Sequence, residues 1–215
     1  MQIDLRDASF EAFLAAVFDH PATDGESLNA WYWESDPDFL VDPARQVAHL
    51  TRLFREAGTL ANHFSTAQIE QGFWLIGSSA SEPFIDHLWN AAVPWPARAA
   101  CVAAMEQLYA DCLAVGDYDS VDYMWPDFLA HGYDFGSRHP AESAEDARMQ
   151  QALFDLFARL LARPEPICQY AALHGLGHLR HPAGPGAIAA YLAAHPELTP
   201  EQRRYAEGAM AGHVQ

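Results

Sequence analysis

The chain has few cysteines, little positive charge and no long hydrophobic run, and each shortage excludes something. Its three cysteines, Cys101, Cys112 and Cys168, form no C-x-x-C pair and are odd in number. Neither a disulfide framework nor a zinc-finger spacing is therefore present. All three sit among apolar residues at helical spacing, where a reduced, buried thiol is expected. Lys and Arg total 12 against 29 Asp and Glu, a formal net charge of −17 spread along the chain without a long acidic block. That balance argues against a nucleic-acid backbone or an anionic membrane surface as partner, and leaves a basic protein or peptide favoured. No uninterrupted apolar run approaches the roughly 20 residues that a membrane helix needs. The opening M-Q-I-D-L-R-D lacks the basic and apolar regions of a signal peptide, so the expected setting is the cytoplasm. No G-x-S-x-G elbow and no H-E-x-x-H helix is present, and the G-P-G turn at 184–186 has no Lys or Ser after it to cradle a phosphate.

What remains is a globular composition, half apolar and only 19% charged over 215 residues. It fits one domain, or one stack of repeated units, with a substantial core. Helix signals recur along its length. Residues 8–19 read as a short amphipathic helix closed by His20-Pro21. Asp42-Pro43 supplies an N-cap and a first-turn proline for a helix to about residue 57, with Val47, Leu50, Leu53 and Phe54 at i, i+3, i+4 spacing. Ser65-Thr66-Ala67-Gln68 is a capping box that opens a helix ending at Gly77. Further helices are predicted from Ser81-Glu82-Pro83 to about residue 92, and from Pro96 to Val115. Ser143 opens another to about Ala162. The stretch Ile167–His181, fenced by Pro164, Pro166 and Pro182, forms the next, followed by one near 184–194. A second capping box, Thr199-Pro200-Glu201-Gln202, begins the last. Residues 116–140 are the least regular, with only Pro126–Ala130 read as a short helix. Without a convincing period-2 run or an N-G hairpin, the chain is predicted to be all-α, with roughly ten helices in a single domain over 1–215.

A shift of 100 residues lays Q-I-E-Q-G-F-W-L-I-G over the stretch ending A-L-H-G-L-G, so that Glu70 falls on Tyr170 and Trp74 on His174. Each has a longer amphipathic helix before it and a helix pair after it, the pattern of stacked helical hairpins. On these residues the chain resembles a group of uncharacterised bacterial proteins of HEAT-like helical-repeat type. The resemblance covers roughly residues 30–212. It is carried by Gln68 to Trp74 (Q-x-x-Q-G-F-W), Tyr123 to Asp127 and Ala172 to His178 (A-L-H-G-L-G-H). It implies an α-α superhelix and no particular activity. Pro126 departs from the bulky residue expected there and puts a local helix in doubt.

Two constellations carry chemistry. In Ile167–His181, helical periodicity places Cys168, Ala171, Ala172, Leu176 and Leu179 on one side and Tyr170, His174, Gly177, His178 and His181 on another. His174 and His178 at i, i+4 are able to grip a divalent metal, with His181 a turn on as a third ligand and Asp or Glu from 31–38 or 117–134 to complete the site. Close helix packing accounts for the same residues without a metal, so no metal or cofactor is assigned and the histidine triplet stands as the alternative. The second constellation pairs aromatic rings with carboxylates around Trp31, Trp33 and Glu34, and again at Tyr123, Trp125 and Asp127. Such mixtures suit a cationic group.

The expected function is a non-enzymatic scaffold that binds a protein or peptide, plausibly a basic one, in the manner of immunity proteins. Its acidic concave groove would be lined by Glu70, Trp74, Tyr170, His174, His178, Trp33, Tyr123, Trp125 and Asp127, with Tyr170 and the histidines facing the same surface as Glu70 and Trp74. The alternative is a metal-dependent hydrolase or small-molecule-binding protein built on the His174/His178 face.

Overall fold

The computed structural model describes residues 2–22, 30–77 and 84–214. Helices dominate, so the chain is all-α, as its caps and periodicity predict. The departure among the described residues is one pair of three-residue parallel strands, β1 (Gln2–Asp4) and β2 (Asp38–Leu40), in the register Ile3↔Phe39. Strands this short leave no alternation to read in the sequence. Contacts gather into two compact units, Met1–Val121 and Asp122–Gln215.

In the first unit, α1 (Phe10–Phe18) starts where the Ser9 hydroxyl accepts from the Ala12 N–H at 3.2 Å. A five-residue helix, α2 (Trp31–Ser35), stops at Asp36 in the left-handed region. α3 (Pro43–Glu56) opens as expected, with the Asp42 carboxylate accepting from the Arg45 N–H at 2.8 Å. It continues as a 3-10 segment, Ala57–Asn62. α4 (Thr66–Gly77) has both bonds of its capping box: the Gln68 N–H donates to Ser65 Oγ, and the Ser65 N–H to Gln68 Oε1. The helix predicted from 81 begins outside the described residues, and from Phe84 to Trp89 the chain is a 3-10 turn instead. α5 (Trp95–Leu108) runs into a π-helical turn, Tyr109–Leu113. α3 packs on α5 and α1 on α4. The core is aromatic: the Phe13 ring centroid lies 6.1 Å from that of Phe84, and Phe18 meets Phe73 edge-on at 5.5 Å.

The stretch read as irregular, 116–140, holds two helices, α6 (Val121–Met124) and α7 (Asp127–Asp134). Pro126 does not break α7. It sits at its N-cap, where a missing N–H costs nothing. α8 (Ala144–Leu161) is capped by Ser143, and α9 (Pro166–Leu179) begins on a first-turn proline. α10 (Gly184–Ala194) and α11 (Pro200–Ala211) follow, the latter with the capping box at Thr199 and Gln202.

α9 is the central helix of the second unit, with α7, α8 and α11 all packed on it. Every residue from Ala171 to Leu179 is buried, so its two sequence faces are both interior. Such a helix needs small residues where neighbours press close. A Cβ at Gly175 would stand 2.5 Å from the Phe157 ring of α8, and one at Gly177 would stand 2.7 Å from Val214.

Candidate functional site

The histidine face of α9 is covered by α7 on one side and α11 on the other. The i, i+4 spacing stacks His174 and His178, which are 1% and 7% exposed. α7 presents Asp127 and, two turns later on the same side, Asp134. Three ligand-type atoms, from Asp127, His174 and His178, lie within 4.8 Å of one another. Both Nε2 atoms approach the same oxygen, Asp127 Oδ1: His174 at 2.7 Å and His178 at 3.5 Å.

The other nitrogen of each ring is held as well. His174 Nδ1 lies 2.8 Å from the Tyr205 hydroxyl on α11. His178 Nδ1 lies 3.1 Å from Asp134 Oδ2, while Asp134 Oδ1 accepts from Arg180 Nε at 2.7 Å. Arg180, left-handed at the end of α9, also donates to the carbonyls of Ala211 and Gly212. Burial alone would raise the Asp134 carboxyl, but its bonds from Arg180 and His178 hold it below the ordinary carboxylate range. Burial outweighs the two carboxylates around His178 and lowers its pKa, so the imidazole is neutral near pH 7. Burial and the neighbouring Tyr170 push the Tyr205 phenol upward, so it keeps its proton.

Tyr170 is 38% exposed and stacks on Tyr205 with ring centroids 4.4 Å apart, while Tyr123 meets Tyr170 edge-on at 5.8 Å. The structure thus brings Tyr123, Asp127, Tyr170, His174 and His178 together. His181 points elsewhere: its ring stacks on Phe154 at 4.3 Å and its Nδ1 accepts from the Ala183 N–H. Asp127, and not His181, is the third group beside the two histidines. Trp125 is fully buried, a core side chain with no surface to offer a partner.

Glu70 and Trp74 belong to the first unit. Glu70 is buried, and both its oxygens are taken by the backbone N–H groups of 119–121: Asp119 at 2.6 Å, Ser120 at 2.9 Å and Val121 at 3.2 Å. It is a structural cap, which corrects its reading as a groove residue. Trp33, at 54% exposure, stands out from α2 beside exposed Glu34, Asp36 and Asp38.

Sequence reasoning missed Arg180 and Tyr205, and reached Asp134 only as one of the acids of 117–134. Asp127 and Asp134 are seven apart and share a helical face, but that signal exists only once α7 is recognised as a helix. Nothing local marks Tyr205. The chain finds no match among protein-family models, curated proteins or solved structures.

Proposed function

We propose that this chain binds one divalent transition-metal ion through Asp127 Oδ1, His174 Nε2 and His178 Nε2. The remaining coordination positions would hold a water or a small anionic ligand. Metal-assisted hydrolysis is the reaction class open to such a centre. Two imidazoles and one carboxylate suit Zn²⁺, Fe²⁺ or Mn²⁺ better than Ca²⁺ or Mg²⁺, which prefer all-oxygen shells.

The observation that carries the proposal is the convergence of both Nε2 atoms on one carboxylate oxygen. Asp134 is an acceptor, so His178 Nδ1 must carry that ring's proton. The Nε2 lone pair of a neutral His178 therefore faces an anionic oxygen, an arrangement that a cation between them turns from repulsive to attractive. Ligand atoms bonded at about 2.1 Å to one ion sit roughly 3.0–3.4 Å apart; the separations found, 2.7 and 3.5 Å, lie on either side of that range, so a small shift of the Asp127 carboxylate would admit an ion. His178 also has on its far nitrogen the carboxylate partner that metal-ligating histidines generally use, and the far nitrogen of His174 is held by the Tyr205 hydroxyl.

Purified protein incubated with Zn²⁺ or Mn²⁺ and then desalted should retain about one equivalent of metal. Asp127→Asn and His174→Ala should retain almost none while keeping their helical circular dichroism. Wild-type protein holding less than about a tenth of an equivalent would overturn the proposal.

As a second reading, we propose a HEAT-like scaffold that receives a basic protein or peptide at the α2–β2 surface. It is favoured by one observation, the exposed Trp33 ring set among carboxylates, a combination that attracts Arg side chains. The pairs α8–α9 and α10–α11, each joined by a short connection, support the hairpin character of the repeat. Trp33→Ala should abolish co-purification with such a partner, and retention of the partner would refute this reading.

A further inference from the structure

The two histidines reach the C-terminal helix by separate routes. His174 Nδ1 meets the Tyr205 hydroxyl of α11 directly, at 2.8 Å. His178 Nδ1 meets Asp134, Asp134 receives Arg180, and Arg180 Nη1 and Nη2 donate to Ala211 O at 3.2 Å and Gly212 O at 2.8 Å. Those two carbonyls lie at the C-terminal end of α11, where helix carbonyls have no partner of their own. Gly212 closes the helix in the left-handed region, and a Cβ there would overlap the Arg180 guanidinium. Arg180 thus fills the space that a side chain at 212 would need.

α11 packs on α9 and α10, but few of its own side chains are fully buried. Within its bounds only Ala206 and Ala209 are buried, and two alanines bury little apolar surface. Its further anchors are the Tyr205 ring on Tyr170 and Val214 against Gly177. Polar contacts that lead into the histidine cluster are therefore part of what docks it on α9.

We propose that Tyr205 and Arg180 are positioning residues of the metal centre, so that docking of α11 and binding of the ion reinforce each other. The inference rests on the metal reading above. An ion on both Nε2 atoms requires both Nδ1 atoms to carry protons. It withdraws charge from the rings and sharpens those N–H groups as donors. His174 then donates to Tyr205, whose hydroxyl turns from donor to acceptor, and His178 donates more strongly to Asp134. The first bond exists only with α11 in place, and the second is braced through Arg180, which the Ala211 and Gly212 carbonyls hold against Asp134. Linkage makes the effect reciprocal: a docked α11 raises ion affinity by the same factor by which the ion stabilises docking.

Hydrogen exchange of the full chain, with and without saturating Zn²⁺, tests this. Amides of residues 200–212 should slow by at least about fivefold with Zn²⁺. Tyr205→Phe keeps the ring on Tyr170 and removes only the hydroxyl, and Arg180→Lys keeps the charge and removes the fork. Each should weaken Zn²⁺ binding about 10- to 100-fold. A purely structural role would instead lower the melting temperature of the chelated protein and leave the Zn²⁺ affinity as it was. That result, or α11 exchange unchanged at full Zn²⁺ occupancy, overturns this inference and leaves the metal reading standing. Failure of the wild type to bind Zn²⁺ or Mn²⁺ removes both.

Discussion

Gly175 stands with the Phe157 ring 2.5 Å from where its Cβ would be, closer than any real contact allows. Alanine is the better helix former in isolation, but here it must push an aromatic ring out of a packed core. Gly175→Ala should destabilise the protein by about 1–3 kcal/mol in chemical denaturation, against a helix-propensity gain of up to about 1 kcal/mol. Trp33→Ala, at an exposed position, should stay within about 0.5 kcal/mol of wild type. The contrast between Trp33 and Trp125 is a lesson at the same scale. Both lie in aromatic-acidic stretches of similar composition, yet one is largely exposed and the other completely buried. Composition names side chains able to recognise a cation. Burial decides which of them reaches one.

At the scale of the element, capping is the clearest thread. Ser9, Asp42, Ser65, Ser143 and Thr199 each accept the backbone bond that their position predicts. Glu70 does the same for backbone far along the chain, taking three N–H groups of 119–121 from the middle of α4. Glu70→Ala should therefore cost about 1.5–3 kcal/mol, the range for hydrogen bonds to a buried charge, with increased exchange of the amides at 119–121. Position 70 looked like a groove residue because the 100-residue shift lays it over Tyr170. The destination of its carboxylate lies 49 residues on, where local reasoning does not reach. The helix α7 was shortened for a related reason. Asp, His, Gly and Tyr have modest helix propensity, and what holds α7 as a helix to Asp134 is its packing on α9.

For the whole molecule, acid should be the weak direction. Burial lowers the pKa of His49, His178 and His181 below the ordinary histidine value of 6.5. In each case the folded state prefers the neutral ring and the unfolded chain binds the proton more readily. Stability from this source is complete above about pH 6.5 and is lost as pH falls through the lower folded values. Asp134 acts at a more acidic point: its depressed pKa contributes stability above the ordinary aspartate value of 3.8 that disappears as pH drops further. The melting temperature of chelated protein should therefore fall between pH 7 and pH 5. His49→Phe should flatten that fall, since His49 already stacks on Phe13 with centroids 5.2 Å apart. A melting temperature that is constant or rises on acidification would contradict the assignment of these rings as buried and neutral.

The residues alone show that the chain is helical, where most helices begin, and that His174 and His178 share a face. Those properties depend on caps and periodicity, free energies settled within a turn or two of backbone. The sequence also placed the small residues of α9 as packing surface, since little but close approach requires two glycines inside a buried helix. What meets the histidines is settled by the packing of distant helices. Asp127 comes from 47 residues away, Asp134 from 44 and Tyr205 from 31. Their convergence depends on how α7 and α11 cross α9, a property of summed side-chain shapes that no short stretch encodes. The histidine pair was legible as a pair, and which carboxylate and outer partners meet it became visible only once three helices were packed together.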